Sequence, residues 1–576
     1  MTVSWKLKRN AQKILEREKG TVYKDPGAGV NVCVLYPNTY ALAMANLGFQ
    51  TVYHLFNSFE NCVCERSFLP ERDELEDFSK APLFSLESQR ALKEFDIIAF
   101  SIPFEEDYIN IPSLLALAEI PVLSSRRSER DPLVIAGGIA PSLNPEPLAD
   151  MMDLFVMGEA EGAVRGFLDL YIRAEDAGIK DREEFLREFD ALPFVYVPSL
   201  YEFIYDGSVV REIKPLKGAK TSIRASKNLS LDAFPIPRNF VTTPDSAFKE
   251  ASLIEIERGC GRGCRFCAAG FLCMPPRQRS MEEVKKAVLG GLEATGKAGL
   301  VGTAVSEYPG LKEVLREGIK KGGSMTLSSL RVDVLDGELI GLLKESGYRT
   351  VTFAPEAGSE RMRKVVNKGI RDEEILEAVR AVVEAGFTRI KLYFLTGLPG
   401  ESDADARAIA ELAVEIKSIM KKGFLTLSIN PFIPKPCTPF QWHGFCDAAV
   451  INKRLSLIKK ALSKIPGVTI KAMNPAEAFF QAYISRADRR AAGLIMGASS
   501  MGMRSAIKGK KEFMEASVYR NREKDEILAW HMIDHGLKKG YLWNEYERGL
   551  KGLLTGPCNV GSCFRCGVCS PEFFKD

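Results

Sequence analysis

The sequence predicts an α/β chain in which two different parallel-sheet units stand in series, followed by a mainly helical region and a cysteine-rich tail. Three observations carry this. Short apolar runs alternate with helical stretches twice, once before residue 177 and again after residue 250. The chain has 576 residues, more than one core accommodates and enough for about three or four domains. Its 13 cysteines bunch into two CxxC-rich clusters, a pattern of metal binding rather than of a disulfide framework.

Residues 1–20 read as a charged helix without the apolar centre of a signal peptide. The first α/β unit spans 21–176. Its apolar runs are "GVNVCVLYP" (29–37), "NCVCER" (61–66), "FDIIAFSIP" (95–103), "DPLVIAGGIAP" (131–141) and "DLFVMGEAEG" (153–162). Helical stretches are expected at 38–59, 85–95, 105–119 and 163–176. Five strands in such a span suit a flavodoxin-like doubly wound domain. Residues 177–245 are proline-bearing and mixed, a connector with short strands.

The second unit spans 246–446. Its strands are expected in "ASLIEIE" and in 298–310, 324–333, 348–360, 387–401 and 424–436, giving six β/α units and a (β/α)6 partial TIM barrel. Active sites of such barrels gather at the C-terminal ends of the strands. Residues 447–555 are amphipathic and mainly helical, and 556–576 form a Cys-rich metal-binding tail.

Composition excludes several function classes. Apolar content is 46% and charged content 27%, ordinary for a globular enzyme. A net charge of +3 gives no electrostatic case for nucleic acid. No apolar run reaches the roughly 18 residues of a membrane span, so a cytoplasmic location is expected. Four histidines are too few for a histidine-rich zinc or di-iron site.

The stretch "IERGCGRGCRFCAAGFLC" (256–273) places Cys260, Cys264 and Cys267 on one short loop after the first barrel strand, among glycines that let the backbone wrap a bulky object. Three thiolates do not close a structural zinc site. They suit three corners of a [4Fe-4S] cluster whose fourth iron stays open for chemistry. A zinc ribbon would need Cys273 as fourth ligand. Its simplest role is packing.

This CxxxCxxC loop after the first strand of a partial barrel resembles the radical S-adenosylmethionine (SAM) superfamily. "APEAGSERMRKVVNKG" (354–369) and "IKLYFLTGLPGE" (390–401) are similar to its fourth- and fifth-strand motifs, and "PFIPKPCTPFQW" (431–442) to the sixth-strand region of its cobalamin-associated branch. The resemblance covers about residues 25–445. It implies a [4Fe-4S] cluster that chelates SAM through its open iron, reductive cleavage of SAM, and a one-electron reductant of flavodoxin or ferredoxin type. It assigns Phe266 to the adenine and makes Ser306, Ser329, Arg331, Glu356 and Gly397 candidates for SAM contact. The usual glycine-rich motif after the second strand reads "VGTAVSEYPG" here, so the group that receives the SAM amino nitrogen is open among carbonyls 302–304, Ser306 and Glu307.

An upstream domain of this kind resembles cobalamin-binding domains. Ser101 at the end of the third strand, and Gly137 and Gly138 at the end of the fourth, stand where that family admits the nucleotide tail. The loop after the first strand, "YPNTYALAMANLG", lacks the histidine that would ligate cobalt.

In the tail, Cys558, Cys563, Cys566 and Cys569 supply four thiolates in twelve residues, for an auxiliary [4Fe-4S] cluster or a single iron or zinc ion. His531 and His535 are expected four apart on one helix face. The leading functional expectation is cobalamin-dependent methylation of an unactivated carbon. The alternatives are radical cyclisation, carbon–carbon coupling or sulfur insertion with an auxiliary cluster, and a zinc-stabilised RNA- or protein-binding module.

Overall fold

A computed structural model describes residues 5–569 apart from 79, 250 and 329. The first unit is one six-stranded sheet: β1 (Val30–Tyr36), β2 (Cys62–Phe68), β3 (Ile97–Ser101), β4 (Leu133–Gly137), β5 (Leu154–Val156) and β6 (Val195–Tyr196), in the order β2-β1-β3-β4-β5-β6. The first five are parallel, and β6, supplied by the expected connector, runs antiparallel to β5. The last five residues of β1 and the first four of β3 and β4 are buried without alternation, because helices cover both faces of the sheet. The helices Leu47–Asn57 and Ala160–Asp176 pack together on one side.

Local chemistry corrects the helices expected here. Residues 38–59 form two helices, Tyr40–Met44 and Leu47–Asn57, because the Asn46 side chain accepts from Phe49 N–H and caps a new start. Residues 85–95 contain only the 3-10 turn Leu92–Glu94. There the backbone pairs with the neighbouring chain instead, Leu86 N–H with Arg66 C=O and Leu92 N–H with Leu83 C=O.

The second unit contains the six expected strands: β7 (Ser252–Glu255), β8 (Lys297–Val301), β9 (Ser324–Leu327), β10 (Val351–Glu356), β11 (Arg389–Thr396) and β12 (Phe424–Pro431). They do not form one continuous sheet. β7-β8-β9 is a three-stranded sheet, and β10-β11-β12 is extended by a seventh strand, β13 (Val468–Ala472), parallel to β12. β13 lies inside the region read as mainly helical, where five residues between two amphipathic helices give too weak a pattern to stand out. Buried residues alternate along β11 and β12, one face inward and one toward solvent or helices.

The C-terminal region wraps both units. Asn144 donates to Ser485 and Ala487 carbonyls, Arg489 pairs with Glu146, and Ile533–Asp534 adds to Ile223–Arg224 as a parallel two-stranded patch. Among the described residues no helix is long and apolar enough to cross a membrane.

Candidate active site

The cysteine loop begins where β7 ends. Gly259 has φ +82°, and a Cβ there would lie 2.3 Å from Cys273 C=O, so the loop closes on its own far end only with glycine. Thr303 Oγ1, just beyond β8, donates to Gly259 C=O. Cys267 N–H donates to Cys264 C=O at 3.0 Å, and the chain turns into the short helix Ala269–Leu272. Cys260, Cys264 and Cys267 are all partly exposed. Burial pushes all three thiols up, Cys267 to about 12.

Two side chains lock the loop from behind. Arg265 is fully buried and donates to Glu545, to the carbonyls of Lys364 and Val365, and to Leu553 C=O at 2.7 Å. Asn367 (φ +59°) donates to the carbonyls of Arg262 and Gly263 and to Thr555 C=O, and it accepts from Thr555 N–H. Both residues tie the loop to the start of the tail.

A ring of charge stands over the loop. Arg262 pairs with Glu307 at 2.8 Å and Asp333 at 3.4 Å, and Arg331 with Glu307 at 3.1 Å and Asp333 at 2.9 Å. Ser306 Oγ accepts from Arg331 N–H. Glu356 has φ +69° at an irregularity in the β10–β11 register, which turns its carboxylate onto Lys368 at 3.2 Å. Burial raises the Glu356 carboxyl, and Lys368 opposes that. The field of Lys368, Glu356, Arg331 and Arg262 is felt at Cys264. The fold thus brings Arg331 and Glu356 to the cysteine loop, and Ser306 to Arg331. Phe266 packs half-buried against an apolar cluster that contains Leu272, Met362 and Phe440. Gly397 stands apart: its N–H donates to Glu401, and a Cβ there would lie 2.8 Å from Cys446 Cβ. Ser329 lies outside the described residues.

Sequence reasoning missed Glu257, three residues before Cys260. Its carboxylate accepts Ala304 N–H and lies so close to Gly302 that a Cβ there would come 2.4 Å from Glu257 Cγ. The glycine at 302 was the available signal, but the carboxylate it accommodates comes from another strand.

A cavity of about 450 Å³ joins the two units. The carboxyl ends of the first sheet line one side, with Ser101, Gly137 and Gly138. Glu257, Gly259, Gly302 and Thr303 line the other. Toward the first sheet it is apolar, with Phe56, Phe100 and Phe167. Gly138 has φ +111°, and a Cβ there would lie 2.5 Å from Ile102 C=O. Cys273, read from sequence as a packing residue, borders this cavity too. Beneath it Glu159, from the first unit, pairs with Arg277 at 2.7 Å and Arg258 at 3.0 Å of the second. Burial alone would raise the Glu159 carboxyl, but the two guanidiniums hold it below the usual range.

The expected His531–His535 helix face does not exist. Residues 527–536 form turns and one short strand, held by pairing with Ile223–Arg224. His531 is exposed, whereas His535 is buried, hydrogen-bonded through Nε2 to Ser142 C=O at 2.9 Å, and borders the cavity.

The tail folds directly against the loop. Cys558 N–H donates to Gly261 C=O at 2.7 Å. Cys260, Cys558, Cys563 and Cys566 line one small cavity. Among the described residues no group of three or more His, Cys, Asp or Glu side chains converges as a single metal ion requires.

Residues 48–198 match the family of radical SAM proteins, N-terminal, and residues 254–413 match the radical SAM superfamily. An uncharacterized protein of Methanocaldococcus jannaschii is 28% identical over 460 residues, covering 80% of this chain and 89% of that one. A tRNA-2-methylthio-N(6)-dimethylallyladenosine synthase of Anaplasma marginale is 24% identical over 214 residues, 33% of this chain and 43% of the synthase, so the match spans less than half of that relative. Among solved structures, the chain is similar to the radical SAM methyltransferase TsrM of Kitasatospora setae, with cobalamin and a [4Fe-4S] cluster bound, at a TM-score of 0.47 and 12% identity, over 84% of this chain and 100% of that one. With the superfamily's domain matched across the strand that leads into the three-cysteine loop and the strands that follow, the chain belongs to the radical SAM superfamily of enzymes.

Proposed function

We propose that this enzyme cleaves SAM reductively at a [4Fe-4S] cluster held by Cys260, Cys264 and Cys267, and uses cobalamin to methylate an unactivated carbon. The observation that carries the cobalamin half is the cavity of about 450 Å³ between the two units, within the usual range for cofactor sites. Its donor-poor, aromatic inner end suits a heterocyclic nucleotide tail, and Gly138 keeps the backbone clear of side-chain bulk beside it. The β2-β1-β3-β4-β5 order supports reading the first sheet as the flavodoxin-like, cobalamin-binding type.

When bound, the cluster supplies the electron that breaks a SAM carbon–sulfur bond, and cobalamin supplies a carrier for the methyl group. The chain's own residues do the rest. Three thiolates on a glycine-rich loop leave one metal position for the substrate. Arg331 and the Glu356–Lys368 pair bring both signs of charge to a substrate that is itself an amino acid and a sulfonium cation. Glu257, beside Gly302, is our candidate for the SAM amino group, in place of the missing glycine-rich motif. The aromatic end of the cavity excludes water.

The test is anaerobic purification after growth with the vitamin. Cobalamin absorbance, 5′-deoxyadenosine formation under reduction and label transfer from methyl-labelled SAM are all expected. Loss of the first, with 5′-deoxyadenosine retained, would favour the second reading, radical coupling or sulfur insertion without methyl transfer. The tail cysteines packed on the loop are the observation that supports that reading.

A further inference from the structure

The cysteine loop has a stem. Glu257–Arg258 and Arg277–Gln278 pair as a two-stranded antiparallel ribbon, and residues 259–276, with Cys260, Cys264 and Cys267, run between them. In that ribbon Arg258 lies directly opposite Arg277. Like charges directly opposite each other destabilise a strand pair. An anion that touches both relieves this, and here it comes from the other unit. Glu159 Oε2 lies 3.0 Å from Arg258 Nη1, and Glu159 Oε1 lies 2.7 Å from Arg277 Nη2. Arg258 also pairs with Glu161 and Glu255, each at 2.7 Å. Among the described residues Arg277 pairs with Glu159 alone.

Glu159 is itself pinned. Its N–H donates to Ser226 C=O at 2.9 Å, just beyond β5. Gly158 before it has φ +92°, and a Cβ there would lie 2.3 Å from that same carbonyl, so the approach is open only to glycine. Asn228 N–H donates to the Glu159 carboxylate at 2.9 Å. Arg277 is braced from the loop side, where its guanidinium donates to Pro275 C=O at 3.0 Å, to Cys273 C=O at 3.1 Å and to Asn228 C=O. The side chains of Glu159, Arg258 and Arg277 are at most 15% exposed, so salt screens this contact little. Glu159 and Arg258 border the cavity between the units, and Arg258 stands two residues before Cys260.

From these we infer that Glu159 is a positioning residue for the reaction: by joining the two opposed arginines of the stem, it makes the closed form of the cysteine loop depend on docking of the first unit, and so fixes the cobalamin side of the cavity against the cluster side. The inference rests on the function proposed above. Glu159 takes no part in bond making or breaking. Its carboxylate sets where the two cofactor sites lie relative to each other, and precise placement of reacting groups is worth orders of magnitude in rate.

The experiment uses the full chain. Glu159→Gln keeps the shape of the side chain, removes its charge and leaves both guanidiniums their other partners. Glu87→Gln, which weakens the Arg66–Glu87 pair inside the first unit and away from the cavity lining, controls for general loosening. In chain free of iron and cobalamin, hydrogen exchange of the amides of 257–278 is expected to quicken at least about fivefold in the Glu159 variant and to stay at the wild-type rate in the Glu87 variant. Wild-type exchange in the first, or an equal rise in both, would overturn the inference. After anaerobic reconstitution with iron, sulfide and hydroxocobalamin, the Glu159 variant is expected to hold as much iron and cobalamin as the wild type. The broadening of its cobalt(II) paramagnetic signal by the reduced cluster should differ from the wild type's. Unchanged broadening would overturn the positioning role. So would loss of either cofactor, since Glu159 would then serve binding and not placement. A wild type that takes up no cobalamin would instead count against the cobalamin reading, while the exchange rates still judge the clamp at the stem.

Discussion

Cys264 and its neighbour Arg265 divide two tasks between adjacent side chains. Cys264→Ala is expected to lower iron by ~4 per chain while leaving the fold intact, since the side chain is small and partly exposed. Iron content and circular dichroism together check this. Arg265→Met should behave oppositely. It strands the buried Glu545 carboxylate and three carbonyl acceptors, and loss of one partner of a buried pair costs about 3–5 kcal/mol. Denaturant unfolding of the apo chain should show that loss. The place of the cysteine loop was legible, because the apolar run before it marks the strand Ser252–Glu255 that leads into it. Arg265 was not, because a guanidinium between two cysteines reads as an exposed loop residue until its acceptors, drawn from three distant segments, are known. Glu257 was hidden for the same reason: the space it fills is defined by β8, not by its own sequence neighbours.

The parallel strands of both units were legible as elements, since apolar runs and alternation mark strands whatever they pair with. The break between β9 and β10, and the addition of β13, were not. Pairing between strands far apart in sequence leaves no local trace. Glycines at strand ends were informative. Gly138, at the end of β4, has a conformation that side chains rarely adopt and faces the Ile102 carbonyl. Gly138→Ala is therefore expected to cost about 1–3 kcal/mol, by strained backbone and a displaced loop. Purified protein should retain less cobalamin, read from its absorbance per chain. Full retention with wild-type unfolding would show that the β4 loop has no such constraint.

At the scale of the molecule, the two units and the C-terminal region depend on each other through buried polar groups, and pH tests this. His535 is buried with its basicity pushed down to about 3, and burial pushes His443 to about 4. An unfolded histidine takes its proton near pH 6.5. Between 6.5 and about 4 the unfolded chain therefore binds protons that the folded chain does not, so stability falls as pH falls, by up to about 1.4 kcal/mol per pH unit for each histidine. His535→Gln should flatten that dependence by one proton's worth, measured as denaturant midpoint against pH. Equal slopes would mean that His535 titrates freely. Glu159 acts with the same sign lower on the scale. Its folded value is held down by Arg277 and Arg258, so its contribution is present above the ordinary carboxylate range and disappears as the pH falls below it.

The lacing of the cysteine loop to Leu553 and Thr555 also sets a schedule. A chain made from its N-terminus folds its early domains first. When the first sheet and β7–β12 are already in place, the tail-side partners of Arg265 and Asn367 have yet to emerge. Until they do, the loop of Cys260, Cys264 and Cys267 is held only from within the second unit, by the Lys364 and Val365 carbonyls and by Asn367, and its outer side stands open. Arrival of residues 545–558 then shuts that opening. Assembly of the metal centre is thereby tied to completion of the polypeptide, and a nascent chain halted near residue 540 would carry all three ligands without the clasp that fixes them.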